Sequence, residues 1–183
     1  MYYDQYKRIL DALSAGLLGL LLLPVIVLAV LVILIVDRHA PFFSQVRPGK
    51  DQQLFVCYKL RSMRSGFEPD KKRVTTLGKL LRRTAIDELP QLWNVLKGEM
   101  SMVGPRPCLI SQQELIQARL KFNIFRVKPG ITGLAQISGI DMSDPLLLAK
   151  TERKMLRNFN ILSYFYYIFL TVIGFGLGDR IKE

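Results

Sequence analysis

The feature that most constrains this chain is a stretch of 25 residues without a charged side chain, Ala12–Val36. As a continuous helix it would be about 37 Å long, enough to cross the roughly 30 Å hydrocarbon core of a bilayer with some tilt. A secretory signal peptide is a poor alternative, because the stretch is too long and shows no small-residue cleavage pattern. The sequence therefore predicts a membrane helix near the N-terminus.

Pro24 lies in the middle of this stretch. Its ring and its missing N–H disturb a helix, which would leave two halves of about 18 Å, each too short to span alone. We therefore expect a Pro-broken re-entrant helix that enters and leaves on one side of the membrane. A simple span with a tolerated kink is the alternative, because neighbouring groups can satisfy the freed carbonyls. Basic residues on both flanks, Lys7-Arg8 and Arg38, favour two cytoplasmic ends.

At the start of the helix, Arg8 and Asp11 stand three positions apart. A helix places such residues side by side. We expect them to form a structural ion pair.

The charge of the chain lies almost entirely beyond the apolar stretch. Two cations and two carboxylates cancel within residues 1–36, so the remaining 24 Lys and Arg against 13 Asp and Glu carry the net charge of +11. Such an excess attracts polyanions: nucleic acid, anionic lipid headgroups or phosphorylated substrates. Charge alone does not choose among them.

Cysteine and histidine are scarce. Cys57, Cys108 and His39 are the complete set, and their spacing is not that of a disulfide scaffold or a zinc site. Cys57 lies in an alternating apolar run and is expected to pack in the core rather than to act as a nucleophile.

A β-hairpin is predicted after the membrane segment. Two aromatic and β-branched runs, Phe42–Val46 and Leu54–Tyr58, are separated by a polar stretch that contains Pro48-Gly49. The hairpin leads into Lys59-Leu60-Arg61, where alternating cations either meet an anion on one face or form a solvated edge.

The acidic dyad Asp87-Glu88 stands among many cations. An apolar stripe at helical spacing follows it, formed by Leu89, Leu92, Trp93 and Leu96, so a helix is expected to begin close to the dyad. An N-cap aspartate followed by a first-turn glutamate is the structural interpretation. A helix N-terminus also favours a bound phosphate, which is the chemical interpretation.

Several motifs occur in a fixed order around the dyad. They are Lys7-Arg8-Ile9-Leu10-Asp11, Pro41–Gly49, Tyr58–Met63, Asp87–Leu92 with Asn94–Ser101, Gly104–Pro107 and Pro129–Gln136. In this order they resemble the monotopic phosphoglycosyl transferases, the bacterial sugar transferases that start glycan assembly on polyprenol phosphate. The resemblance covers nearly the whole chain.

The resemblance implies a reaction. The family transfers a sugar phosphate from a UDP-sugar to undecaprenyl phosphate, giving UMP and a polyprenyl-diphosphate sugar, with Mg²⁺ and through a covalent aspartyl-phosphosugar intermediate. By similarity, Asp87 is the nucleophile and Glu88 binds or positions the metal. Both dyad carboxylates are therefore candidate Mg²⁺ ligands, because Mg²⁺ prefers hard oxygen donors.

Cations must neutralise the phosphate oxygens before a carboxylate can attack them. Lys59 and Arg106 are the expected phosphate contacts, with Arg106 held in a stiff loop between Pro105 and Pro107. The resemblance adds a tight loop near the nucleotide or the dyad, with Gly130, Thr132 and Gln136 as its candidate substrate-binding residues.

The implied fold is of the α+β class and membrane-associated: a re-entrant helix, a small β-hairpin and amphipathic interfacial helices around a compact catalytic core. Residues 1–40 are expected to form the membrane helix. Residues 41–183 are expected to form the catalytic domain, at the cytoplasmic face of the bacterial inner membrane, and both parts act as one functional unit. The aromatic-rich run Ile161–Leu170 is predicted to be an interfacial helix, with a buried core helix as the alternative.

The expected partners are a UDP-sugar, undecaprenyl phosphate and membrane lipid, with downstream glycosyltransferases possible and no nucleic acid. A membrane-tethered binding protein with a basic face for nucleic acid or anionic lipid is the alternative from another class. However, the aromatic residues lie in apolar runs rather than among the cations. Direct transfer in a ternary complex, without covalent capture, is a third possibility.

Overall fold

The computed structural model describes residues 2–64, 66 and 70–174. Within them the helices are α1 (Tyr2–Val32), α2 (Asp70–Arg73), α3 (Thr76–Arg83), α4 (Gln91–Lys97), α5 (Gln113–Lys121), α6 (Leu134–Ile137), α7 (Pro145–Arg157) and α8 (Ile161–Val172). The strands are β1 (Phe42–Pro48), β2 (Leu54–Leu60), β3 (Ser101–Val103) and β4 (Gly130–Thr132). The α+β class expected from the sequence is confirmed.

Helix α1 packs against the rest of the protein through one stripe of side chains. This stripe includes Ala15 and Ala29 of α1 and Ile33 just after its end, all of them buried. The opposite face is apolar and exposed, mostly through leucines and valines. Among the described residues, Gln5–Asp37 is the one helical stretch that is long and apolar enough to cross a membrane.

The helix is continuous through Pro24 and ends in a π-helical turn, Ile33–Asp37. The expected division into two separate helices is therefore wrong. A proline removes one backbone hydrogen bond and can bend a helix, but the helical hydrogen bonds can continue on both sides of the bend without ending the helix.

Asp11 connects the start of α1 to the core. Its carboxylate accepts hydrogen bonds from Ser101 Oγ at 3.0 Å, from the Met102 N–H at 2.9 Å and from the Tyr164 hydroxyl at 3.1 Å. Lys7, four residues earlier, forms the ion pair with Asp11 at 3.2 Å. The buried carboxylate thus joins α1, β3 and α8.

Arg8 contacts a different element. Its guanidinium donates to the carbonyls of Val95 at 2.7 Å and Leu96 at 2.6 Å, in the last turn of α4. The predicted Arg8–Asp11 ion pair is wrong, because the free carbonyls at a helix C-terminus attract a cation.

The predicted hairpin is confirmed. Strands β1 and β2 are antiparallel, with Phe43 opposite Lys59 and Val46 opposite Val56. Cys57 is buried in the core, as expected.

The second sheet, β3 and β4, was not foreseen. These short strands are parallel, with Ser101 opposite Gly130 and Val103 opposite Thr132. The segment that follows β3 also touches the first residue of β4, because a Cβ on Gly130 would collide with the backbone of Gly104. The sheet thereby brings the Gly104–Pro107 loop against β4.

Helix α4 buries polar residues on the face that contacts the hairpin. Asn94 is fully buried; its side chain accepts from the Tyr58 N–H and donates to the Val56 carbonyl and to Glu99. Trp93, part of the expected apolar stripe, is 59% exposed instead. The Asn94 amide thus pairs with the free edge of β2, next to Lys59.

Helix α8 is half buried. Tyr164 and Tyr167 pack in the core, whereas Leu162, Phe165 and Phe169 are exposed. One face of α8 is therefore fixed to the core, and the opposite face is left exposed.

Candidate active site

The dyad lies in a short turn rather than in a helix. Helix α3 ends at Arg83, and Ala85 then adopts a left-handed conformation with φ 53° and ψ 17°. The chain continues into a 3₁₀ turn, Ile86–Glu88, and α4 begins only at Gln91. Because a 3₁₀ turn has about three residues per turn, the adjacent side chains of Asp87 and Glu88 point in different directions.

Glu88 lies between two cations. Its Oε1 atom accepts from Lys59 Nζ at 2.7 Å and from Arg106 Nη2 at 2.7 Å. Burial alone would raise the pKa of this carboxyl, but Arg106, Lys59 and Arg47 outweigh burial and lower the pKa to about 2. Glu88 is therefore an anion at neutral pH.

Asp87 lines a basic cavity of about 330 Å³ and is 6% exposed. Six cationic residues share the lining of this cavity: Arg47, Lys59, Arg61, Arg64, Arg73 and Arg82. One carboxylate among six cations gives the cavity a strongly positive potential. It is suited to a polyanion that approaches Asp87.

Glu88 and Arg106 line a second cavity of about 360 Å³, whose walls are mainly apolar. Leu18, Leu22 and Val25 of α1 form one part of its wall, and Ile168, Thr171 and Val172 of α8 form another. A third, small space lies beside Lys59, Glu88, Arg106, Pro107 and Gly130. The ion-paired Glu88 and Arg106 therefore lie where the apolar cavity approaches the basic one.

The loop that carries Arg106 is held by its carbonyls. The Pro105 carbonyl accepts from the Gly130 N–H at 2.8 Å, the Arg106 carbonyl from Arg119 Nη2 at 2.8 Å, and the Pro107 carbonyl from Arg47 Nη1 at 2.5 Å. The prolines have no N–H to offer, so these acceptors anchor the loop.

The remaining predicted residues surround the same region. Thr132 and Gln136 line the apolar cavity. The Thr132 hydroxyl lies 2.5 Å from that of Thr171 on α8. The Gln136 amide donates to the Gly104 carbonyl at 3.4 Å, while its oxygen is buried without a hydrogen-bond partner. The predicted site residues beyond the membrane helix thus converge on one region.

Several residues that contact elements of the site were not predicted individually from the sequence. Arg47 belongs to β1, yet its guanidinium reaches the Pro107 carbonyl, 60 residues away in the chain. Asn94 pairs with β2 beside Lys59, and Arg119, which is paired with Glu152, donates to the Arg106 carbonyl. No local spacing indicated these residues, because their partners come from other elements.

The donors available for a metal are few. Among the residues described, no three His, Cys, Asp or Glu side chains form a group that could hold an ion. Mg²⁺ is commonly bound by one or two carboxylates together with substrate phosphates. The dyad fits that mode, with most oxygen donors supplied by a phosphorylated ligand.

Comparison with known proteins identifies close relatives of this chain. The model of the bacterial sugar transferase family matches residues 2–176. A UDP-glucose:undecaprenyl-phosphate glucose-1-phosphate transferase of Klebsiella pneumoniae is 37% identical over 183 residues, covering 91% of this chain and 39% of the relative. A protein of the same name from Caulobacter vibrioides is 40% identical over 147 residues, covering 75% and 55%.

A third relative, the uncharacterized sugar transferase EpsL of Bacillus subtilis, is 43% identical over 140 residues, covering 73% of this chain and 68% of the relative. The chain therefore spans well under two thirds of the Klebsiella and Caulobacter proteins, and about two thirds of the Bacillus protein.

Proposed function

Since the chain belongs to the bacterial sugar transferase family, we propose that it transfers a sugar-1-phosphate from a UDP-sugar to undecaprenyl phosphate, with release of UMP. The printed names of the Klebsiella and Caulobacter relatives support this pair of substrates. The observation that carries the proposal is the placement of the dyad: Asp87 lines a basic cavity and Glu88 an apolar one.

Each cavity suits one substrate. A UDP-sugar carries a diphosphate, whose charge the arginines of the basic cavity would neutralise. An isoprenoid chain is apolar and would lie against α1 and α8, with its phosphate near Arg106. The two substrates would then meet at the dyad.

The reaction proceeds in two displacements. An Asp87 carboxylate oxygen attacks the β-phosphorus of the UDP-sugar, and the bond from that phosphorus to the bridging oxygen breaks, so that UMP leaves with the electron pair. An oxygen of the acceptor phosphate then attacks the same phosphorus and displaces Asp87. The acceptor is already anionic near neutral pH, so the second step needs no general base.

Lys59 and Arg106 have two roles. They neutralise phosphate oxygens that would otherwise repel the incoming carboxylate. They also hold Glu88 ionised, as their contacts at 2.7 Å indicate. When bound at the dyad, Mg²⁺ would supply further neutralisation of diphosphate charge. Asp87 and Glu88 are the residues that would hold it.

We also propose that α1 is re-entrant and that the protein lies at the cytoplasmic face of the bacterial inner membrane. Both ends of the helix contact the same domain: Arg8 donates to α4, and Asp37 accepts from the Thr75 hydroxyl at 2.9 Å. A helix that spanned the bilayer would carry one end about 30 Å away from that domain. Downstream glycosyltransferases that use the product are the expected partners.

Incubation with Mg²⁺ and a UDP-sugar, but without acceptor, tests the covalent step. A panel of UDP-sugars should include one that gives stoichiometric UMP and a phosphosugar adduct on Asp87. Asp87→Asn should abolish both, and Glu114→Gln, an exposed change on α5, should abolish neither. Turnover with both substrates but no adduct would instead support direct transfer, and salt-sensitive nucleic-acid binding without turnover would support the binding-protein alternative.

Cysteine labelling tests the topology. Gln5→Cys and Lys72→Cys place exposed thiols near the start of α1 and in the domain, while the native cysteines are buried. A membrane-impermeant maleimide should label both sites from the same side of sealed vesicles. Labelling from opposite sides would show that the helix spans.

A further inference from the structure

A buried ion pair lies behind the Arg106 loop. Arg119 of α5 is 2% exposed and Glu152 of α7 is 0% exposed. Arg119 Nε donates to Glu152 Oε2 at 2.9 Å, and Arg119 Nη2 donates to Glu152 Oε1 at 2.5 Å. Neither residue lines the basic cavity, the apolar cavity or the small space between them.

The pair contacts both backbone polar groups of Arg106. Arg119 Nη2 donates to the Arg106 carbonyl at 2.8 Å, and the Glu152 carboxylate accepts from the Arg106 N–H. Arg106 belongs to no helix or strand. The ion pair therefore provides the hydrogen-bond partners that secondary structure provides elsewhere.

The side chain of Arg106 points the other way, to Glu88 Oε1 at 2.7 Å. The main chain of Arg106 is thus held by side chains of α5 and α7, while its guanidinium binds Glu88. An error in the main-chain position would move the guanidinium relative to Glu88 and to any phosphate beside it. Shifts of about 1 Å in catalytic groups can reduce rates about 100-fold.

Stability alone is a weak reason for such a pair. Removing two charges from water costs much of what their attraction returns, and apolar replacements of buried pairs are often neutral or stabilising. An apolar pair would leave the N–H and the carbonyl of Arg106 without partners. The hydrogen bonds to the Arg106 main chain explain the presence of both charges better than stability does.

We propose that Arg119 and Glu152 are positioning residues for phosphoryl transfer, which fix the Arg106 main chain so that its guanidinium meets Glu88 and the substrate phosphates. The proposal rests on the function proposed above and adds to it a role for two residues outside the cavities. It requires the forked guanidinium of Arg119, because a lysine cannot donate to both Glu152 oxygens and the Arg106 carbonyl in this geometry.

A double-mutant cycle on activity tests the proposal. The variants are Arg119→Lys, Glu152→Gln, Arg106→Ala and the two combinations with Arg106→Ala, and UMP release gives kcat and KM for the UDP-sugar. Arg157→Lys, a conservative change at an exposed position of α7, is the matched control. Circular dichroism and the thermal midpoint identify the variants that fold.

We expect Arg119→Lys and Glu152→Gln each to lower kcat about 10-fold and Arg106→Ala to lower it about 100-fold. In the Arg106→Ala background, Arg119→Lys and Glu152→Gln should each lower kcat by no more than a further factor of about two. A positioning residue acts through the group it positions, and that group is already gone. Arg157→Lys should retain wild-type kcat.

Three outcomes would overturn the proposal. Losses that multiply in the Arg106→Ala background would show that the pair acts independently of Arg106. Wild-type kcat in Arg119→Lys and Glu152→Gln would show that the pair is dispensable, and failure of both variants to fold would assign the pair to stability. A wild-type protein that releases no UMP from any UDP-sugar would overturn the proposed function itself. The three outcomes above concern variants of an active protein, so the two kinds of failure can be told apart.

Discussion

Asp87 and Glu88 are adjacent in the chain, yet Asp87 lines the basic cavity and Glu88 lines the apolar one. The short 3₁₀ turn after Ala85 produces this divergence. The two carboxylates therefore have different neighbours. Asp87 faces a cavity lined by six cationic residues, and Glu88 is held between Lys59 and Arg106.

The role of Glu88 can be tested with Glu88→Gln. The amide keeps the shape but leaves two partly buried cations without their shared anion, so we expect a loss of about 2 kcal/mol in the free energy of unfolding. Turnover should fall about 100-fold. Urea denaturation and UMP release measure the two effects, and Glu114→Gln, a change at an exposed position of α5, serves as the control. Wild-type values for Glu88→Gln would contradict the ion-pair geometry described here.

The left-handed conformation of Ala85 leads to a second prediction. A non-glycine residue costs about 1–2 kcal/mol in this region, whereas glycine adopts it readily but has more backbone entropy to lose on folding. Ala85→Gly should therefore be as stable as the wild type to within about 1 kcal/mol, and Ala85→Val should be less stable than both. Thermal unfolding in the same detergent ranks the three proteins. A valine variant as stable as the glycine variant would refute the backbone assignment.

The attachment of α1 to the core predicts different costs for Asp11 and Arg8. Asp11→Asn alters a buried acceptor shared by Ser101, Met102 and Tyr164, and should lower the free energy of unfolding by about 2 kcal/mol. Arg8→Gln removes contacts to two α4 carbonyls at a partly exposed site and should cost about 1 kcal/mol. Denaturation in matched detergent compares the two. The reverse order would mean that the cap on α4, rather than the buried carboxylate, holds the helix in place.

The two cysteines should be protected from alkylation. Burial raises the pKa of the Cys57 thiol above its usual value, against the opposing influence of Arg47 and Lys59. The thiol therefore stays protonated to a higher pH than a free cysteine, and it is also shielded from solvent. Iodoacetamide at pH 8 should label Cys57 and Cys108 only after unfolding, as read by mass spectrometry. Rapid labelling of the folded protein would place Cys57 outside the core.

Parts of this architecture could be predicted because the signals are local. The hairpin followed from two alternating runs and a Pro-Gly turn. The dyad, Lys59 and Arg106 were singled out from the order of short motifs, and the structure places Lys59 and Arg106 within hydrogen-bond distance of Glu88. Local patterns are reliable where the partners are near in sequence or where a motif implies a shared site.

The rest depended on contacts that no local pattern encodes. Arg8 was assigned to Asp11 by helical spacing, but the carbonyls of α4 compete for it, and Lys7 forms the ion pair instead. Asn94 was named only as the first residue of a motif, whereas the structure shows that its amide pairs with β2. Arg119 and Glu152 are 33 residues apart. Their meeting follows from the packing of α5 on α7, which the sequence pattern did not reveal.

Gly104 and Gly130 are in backbone contact where the Arg106 loop crosses β4, and neither position has space for a methyl group. The methyl group of an alanine at either position would collide with the facing backbone and displace the Arg106 loop from β4. The separation between the Arg106 loop and the second sheet is therefore set by the absence of a side chain at both glycines. This crossing accepts glycine and no larger residue, so the position of the loop depends on two residues that have no side chain to contribute.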